Sequence, residues 1–196
     1  MKVDQLLEAK PFDDGLGGPN PDVPDSWFDW IRTYKNTPGE IRPKAWSVKD
    51  GNLCCLKTRV LELKNVSDKT LPPFKLGEMG YVIFKKSCAF SDLSWLPVEA
   101  NRISFTSAKV KSIKGLSKRC EKVEELIISP NTTSGLLEIF RLHGLKDVMT
   151  YLSALSAFED SRFHDAFNIV YNIWKSGGDI FDAQSALLDA GLGKFQ

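Results

Sequence analysis

The sequence predicts an α+β chain, on three observations. β-type segments occupy residues 46–128, helical periodicity takes over from Ser134, and an arm rich in proline and aspartate precedes both. The expected layout is a flexible acidic arm over residues 1–25 and a single domain over 26–196. Within that domain, residues 26–130 are β-rich and basic and residues 131–196 are helical and acidic. A short helix follows the arm, then a central, mostly antiparallel β-sheet, then a C-terminal cluster of three to four helices packed on it. No internal repeat is visible.

The arm is read from composition. Residues 11–25 hold four prolines, three glycines and four aspartates, too little apolar area to offset the entropy of ordering. Ser26 then caps a short helix, with Asp29 in its first turn. Trp27, Trp30, Ile31 and Tyr34 recur at helical spacing as one aromatic-rich stripe. Thr37-Pro38-Gly39 ends it.

Four strands are expected. They run over Leu53–Leu63, Gly80–Lys85, Arg102–Lys111 and Lys122–Ser129, separated by turn clusters such as Asn65–Thr70 and by Pro72-Pro73. No helix of crossover length lies between them, so they are expected to pair antiparallel. From Ser134 the period lengthens. Leu137 to Leu155 reads as one helix or two broken near Gly144. Asp160 or Ser161 opens the next, with Phe163, Ala166, Phe167, Val170, Ile173 and Trp174 as its stripe, and Ser176-Gly177-Gly178 stops it. Asp179 caps a last helix, with Asp182 at the third helical position and Gly191 just past the end.

Charge is distributed unevenly. The 26 basic and 25 acidic side chains nearly cancel, yet residues 1–30 hold 2 basic and 7 acidic, residues 31–119 hold 18 and 7, and residues 120–196 hold 6 and 11. Arg102, Lys109, Lys111, Lys114, Lys118 and Arg119 lie in a stretch with no acid, and suit an anionic surface such as phosphates or lipid headgroups. Trp27, Trp30, Ile31 and Tyr34 are the candidate docking surface for a partner or a second copy, because aromatic side chains dominate binding hot spots.

Catalytic signals are sparse. The two histidines, His143 and His164, both fall in the helical part, and no phosphate loop, dinucleotide fingerprint or nucleophile elbow occurs. Cys54, Cys55, Cys88 and Cys120 match no zinc spacing and are expected as free thiols in a reducing compartment. No catalytic residue, metal or cofactor is expected. The N-terminus lacks the apolar core of a signal peptide, and no apolar run is long enough to span a membrane, so the expected location is cytoplasmic or peripheral at a membrane.

The function expected from this layout is non-enzymatic. The chain reads as a self-associating structural protein, matrix- or coat-like as viruses encode, whose basic β surface meets an anionic membrane or a ribonucleoprotein. A second reading is an adaptor that binds a host or cellular protein through the helix at 26–35. A third is a small enzyme with its pocket between sheet and helices.

Overall fold

Val60, Tyr81, Arg102, Glu125 and Asp147 stand side by side on five adjacent strands, and successive partners are 21, 21, 23 and 22 residues apart. That near-constant step organises the molecule. The structure, a computed structural model, describes residues 47–49, 52–63, 66–68, 74–85, 88–106, 108–150 and 162–196. The arm and the helix expected over 26–35 lie outside the described residues.

Six strands form one sheet in chain order: β1 (Ser47–Lys49), β2 (Asn52–Leu63), β3 (Phe74–Phe84), β4 (Glu99–Ser104), β5 (Lys122–Ile127) and β6 (Asp147–Met149). β1 runs antiparallel to β2, and every other pair is parallel. The expected antiparallel sheet is therefore overturned, although the α+β class stands. The expectation rested on the lack of crossover helices. Between β4 and β5 and between β5 and β6 the described residues return instead through an extended leg and one short helix, enough to bring the next strand back in the same direction.

Hydrogen bonds beyond the strands show turn stacked on turn. Ser67 bridges Ala89 and Ser112 bridges Ser134, both in parallel sense. The Lys109 N–H donates to the Cys88 carbonyl at 2.8 Å, and the Thr133 N–H donates to the Lys111 carbonyl at 2.7 Å. Farther round, the Glu121 N–H meets the Val98 carbonyl and the Val123 N–H meets the His143 carbonyl. Strand, extended leg and return each contact their counterparts one turn away. This is a parallel solenoid, with a step within the 20–29 residues of leucine-rich repeats. The repeat is a second correction to the sequence reading.

The core runs down the inside of this coil. Leu61, Val82, Ile103, Leu126 and Val148 form one cross-strand row, each at most 2% exposed. A parallel sheet favours aliphatic residues at such positions because the packed side of every strand is buried. Phe84 and Phe105 stack with centroids 5.1 Å apart, and Phe90 and Trp95 pack at their edges. Two buried hydroxyls are satisfied by the neighbouring turn: Ser129 Oγ donates to the Ala108 carbonyl and Thr132 Oγ1 to that of Val110.

The return side carries the short helices α1 (Leu116–Arg119) and a 3-10 helix over Leu136–Arg141. Of the one or two helices expected over Leu137–Leu155, the described residues form this 3-10 turn and β6 instead, because Leu137, Leu142 and Val148 fill the inside of a coil rather than one helix face, and the remainder lies outside the described residues. Two amphipathic helices follow as expected, α2 (Phe163–Lys175) and α3 (Ile180–Asp189). Asp179 accepts from the N–H groups of Phe181 and Asp182, and Asp182 accepts from the Asp179 N–H, a reciprocal cap. Both helices pack against the 3-10 turn, and Phe163, Phe167, Val170, Ala183 and Leu187 are buried. They close the last turns as a capping element must.

Candidate functional site

The six cations singled out in the sequence go to four places. Arg102 stands on the outer face of β4. Its Nε donates to Glu125 on the next strand at 2.6 Å, and its guanidinium lies 5.1 Å over the Tyr81 ring. Glu125 and Tyr81 are its direct cross-strand neighbours, so the stacking of turns neutralises it. Lys109 and Lys111 are exposed on the extended leg after β4, on either side of the buried Val110. Arg119 is half-buried and reaches back to the Leu76 carbonyl at 3.3 Å.

Lys114 and Lys118 come together. They line an open cleft of about 540 Å³ with Gly115, Gly135, Leu137, Glu138, Arg141, Gln184 and Gln196. Three layers of the fold meet there: the turn into α1, the 3-10 helix one repeat later, and the α2–α3 cap. The Gly135 N–H donates to the Gln196 carbonyl at 2.9 Å, and Gln196 Nε2 donates to the Gln184 carbonyl at 3.2 Å. These bonds fix the cap against the coil. Gly135 has φ +91°, and a Cβ there would lie 2.5 Å from the Lys114 backbone nitrogen. Only glycine lets consecutive turns approach this closely.

Glu138 is the cleft's buried anchor, 3% exposed. One oxygen accepts from the Ser117 N–H at 2.9 Å and from the Ser117 hydroxyl at 2.7 Å; the other accepts from Arg141 at 2.8 Å. Burial alone pushes this carboxyl up. The hydrogen bonds from Ser117, Arg141 and the Gly115 N–H outweigh burial and hold it below the usual glutamate value. Glu138 is thus a carboxylate committed to its own neighbours, and it orients Arg141 at the rim. Lys114 and Lys118 are exposed and make no salt bridge among the described residues.

The cap helix exposes two large apolar side chains. Phe181 is 71% exposed and Leu188 58%. They lie three residues before and four after Gln184, on one face of α3. A Cβ built at Gly193 would touch Leu188 Cδ2 and lie 4.0 Å from Gln196 Nε2, which puts Leu188 beside the cleft wall. Arg141, Gln184 and Gln196 escape sequence reasoning because stacking and capping, not chain proximity, bring them to Lys114.

The remaining candidates are dispersed. Trp27, Trp30, Ile31 and Tyr34 lie outside the described residues. Cys88 is buried and its thiol donates to the Leu63 carbonyl; burial raises it. Burial also pushes the Cys120 thiol up to about 12, against the opposing effect of Arg119. Thiols this hard to ionise are poor nucleophiles. His143 is exposed in the turn after the 3-10 helix, and His164 sits on α2 with Asn168 at 3.2 Å. Among the described residues no group of three or more His, Cys, Asp or Glu could hold a metal, and no helix is long and apolar enough to cross a membrane. No family model, curated protein or solved structure matches this chain.

Proposed function

We propose that this chain is a non-enzymatic interaction module that binds acidic protein segments at the Lys114–Lys118–Arg141 cleft. One observation carries the reading: two exposed lysines, Lys114 and Lys118, converge on an open cleft whose buried carboxylate is already engaged by Ser117 and Arg141. Lysines act as point charges that tolerate varied anion geometry, and an open groove suits a peptide better than an enclosed small molecule. Solenoids lend themselves to such use because stacking builds extended surfaces from short segments. That is an argument from architecture, subordinate to the site itself. It favours the adaptor over the matrix- or coat-like protein. A cytoplasmic location belongs to this reading and accords with the free thiols of Cys88 and Cys120.

The test is fluorescence anisotropy with a labelled peptide of alternating glutamate and leucine, on the full chain and on the double variant Lys114→Glu, Lys118→Glu. Reversing two exposed charges removes two ion pairs of about 0.2–1 kcal/mol each and adds repulsion, so affinity should fall about tenfold or more. Binding should also weaken as salt rises. Equal binding by the double variant would defeat the proposal. So would binding confined to anionic vesicles or RNA, which would return the basic surface to the membrane or ribonucleoprotein reading.

A further inference from the structure

The outer surface of α3 changes character in one direction round the helix. At about 100° per residue, Gln184, Leu188, Phe181, Ser185, Asp189 and Asp182 follow one another over about 160°. Gln184 lines the cleft that holds Lys114 and Lys118. Leu188 and Phe181 come next, outside the cleft and exposed, and Ser185, Asp189 and Asp182 are exposed beyond them. α3 itself contains no basic residue. From the cleft outward, the surface therefore runs from cationic through apolar to anionic. We infer that the acidic partner of the cleft is α3 of a second copy of this chain, in a two-fold dimer whose axis passes by Phe181 and Leu188.

The order of the three zones selects that symmetry. A two-fold axis through the apolar strip turns the anionic side of each copy onto the cationic side of the other. Lys114 and Lys118 of one copy then face Asp182 and Asp189 of the second, and the converse. Phe181 and Leu188 meet their own counterparts at the centre, where large side chains shielded from water contribute most to binding. Any arrangement that sets α3 against the same acids of another α3, without the lysines, opposes like charges and is disfavoured. Both zones of both copies are used up in the pair, so association closes at two. Phenylalanine and leucine exposed together on one helix face mark an interaction surface, and the flanking charges say which surface fits it.

This inference rests on the acidic-segment reading of the cleft, and its test separates the two. Sedimentation velocity follows the full chain over a range of concentrations, and its mass should rise from 22.0 kDa towards twice that value. Phe181→Ser with Leu188→Ser should weaken the dimer at least about tenfold. Two charge-altered chains test the pairing itself. Lys114→Glu, Lys118→Glu sets acid against acid. Asp182→Asn, Asp189→Lys sets base against base and leaves an acceptor for the Asp179 N–H. Each alone should dimerise about tenfold more weakly, since every lost pair occurs twice. An equimolar mixture of the two should regain the wild-type mass, because each face again meets its opposite. A mixture no better than its components overturns the inference, as does a dimer indifferent to Phe181→Ser, Leu188→Ser. Mass growing beyond the dimer overturns two-fold closure. A chain that stays at 22.0 kDa throughout yet binds the glutamate–leucine peptide through its lysines removes the second copy and leaves the cleft reading standing. A lysine-reversed chain that loses neither dimer nor peptide removes both.

Discussion

Removing the Glu138 carboxylate tests whether the turns are held together as the geometry implies. Glu138 lies on the 3-10 helix of one turn and accepts two hydrogen bonds from Ser117, on α1 of the preceding turn, and one from Arg141. A hydrogen bond to a charged group contributes about 1.5–3 kcal/mol, and an unsatisfied buried donor costs a similar amount. The Arg141 side chain is 55% exposed, so its bond counts for only a few tenths of a kcal/mol. Glu138→Ala should therefore destabilise by about 3–4 kcal/mol. Glu138→Gln keeps an acceptor for Ser117 and loses the charge, at about 1.5–2 kcal/mol. Urea unfolding followed by tryptophan fluorescence measures both. The pH dependence fixes the cause. Folding lowers the Glu138 value, so its stabilisation is complete above the unfolded-state value of about 4.3 and is lost as pH falls through the folded-state value. The gap between wild type and Glu138→Gln should be constant from about pH 5.5 upward and close on acidification. A Glu138→Gln chain within 0.5 kcal/mol of wild type at neutral pH, or a gap that persists in acid, would refute the reasoning.

Two further outcomes follow from backbone and core. Gly115 and Gly135 both have positive φ, but a Cβ at Gly115 meets open space while one at Gly135 collides with the Lys114 and Ile113 backbone at 2.5 and 2.9 Å. Gly115→Ala should cost about 1–2 kcal/mol and Gly135→Ala at least twice that, read as unequal drops in thermal midpoint; equal drops would contradict the close approach of the turns. Phe105 is fully buried and stacked on Phe84, so Phe105→Ala should lose about 3–5 kcal/mol in urea unfolding. A loss under 1 kcal/mol would place that ring outside the core.

What the sequence discloses here depends on whether a feature is local. The stripe Phe163, Ala166, Phe167 and Val170 and the Asp179–Asp182 cap are properties of neighbouring residues, and both helices stand where periodicity puts them. Strand positions over β2 and β5 are local too, whereas only the second half of β3, from Gly80, stands out, because Phe74–Met79 carries no β-branched run. Strand direction is not. It depends on where the chain goes between runs, and an extended leg with a single helical turn leaves no periodic signal. The repeat hides for a related reason. Leu61, Val82, Ile103, Leu126 and Val148 share a row but are chemically interchangeable aliphatics, and their spacing drifts between 21 and 23 residues. Of the cleft, Lys114 and Lys118 were legible as part of a basic run. Arg141 lay inside what reads as helix, and Gln184 and Gln196 carry no signal at all.

The repeat also explains how a chain of net charge +1 can present a cationic site. Stacking places residues about 22 apart side by side, so charges on equivalent legs of successive turns either cancel or reinforce. On the strand leg basic side chains find acidic neighbours one turn away: Arg102 meets Glu125 and Lys146 meets Glu124. On the return leg of the same turns they reinforce. Residues 105–120 contain no acid, and residues 128–146 contain one, Glu138, which is buried and engaged by Ser117 and Arg141. Arg141 is offset by Glu138, so Lys114 and Lys118 are the cleft cations with no salt bridge among the described residues. A compensating anion for the two lysines must come from outside those turns, and that is the electrostatic basis of the proposal that an acidic segment docks at the cleft.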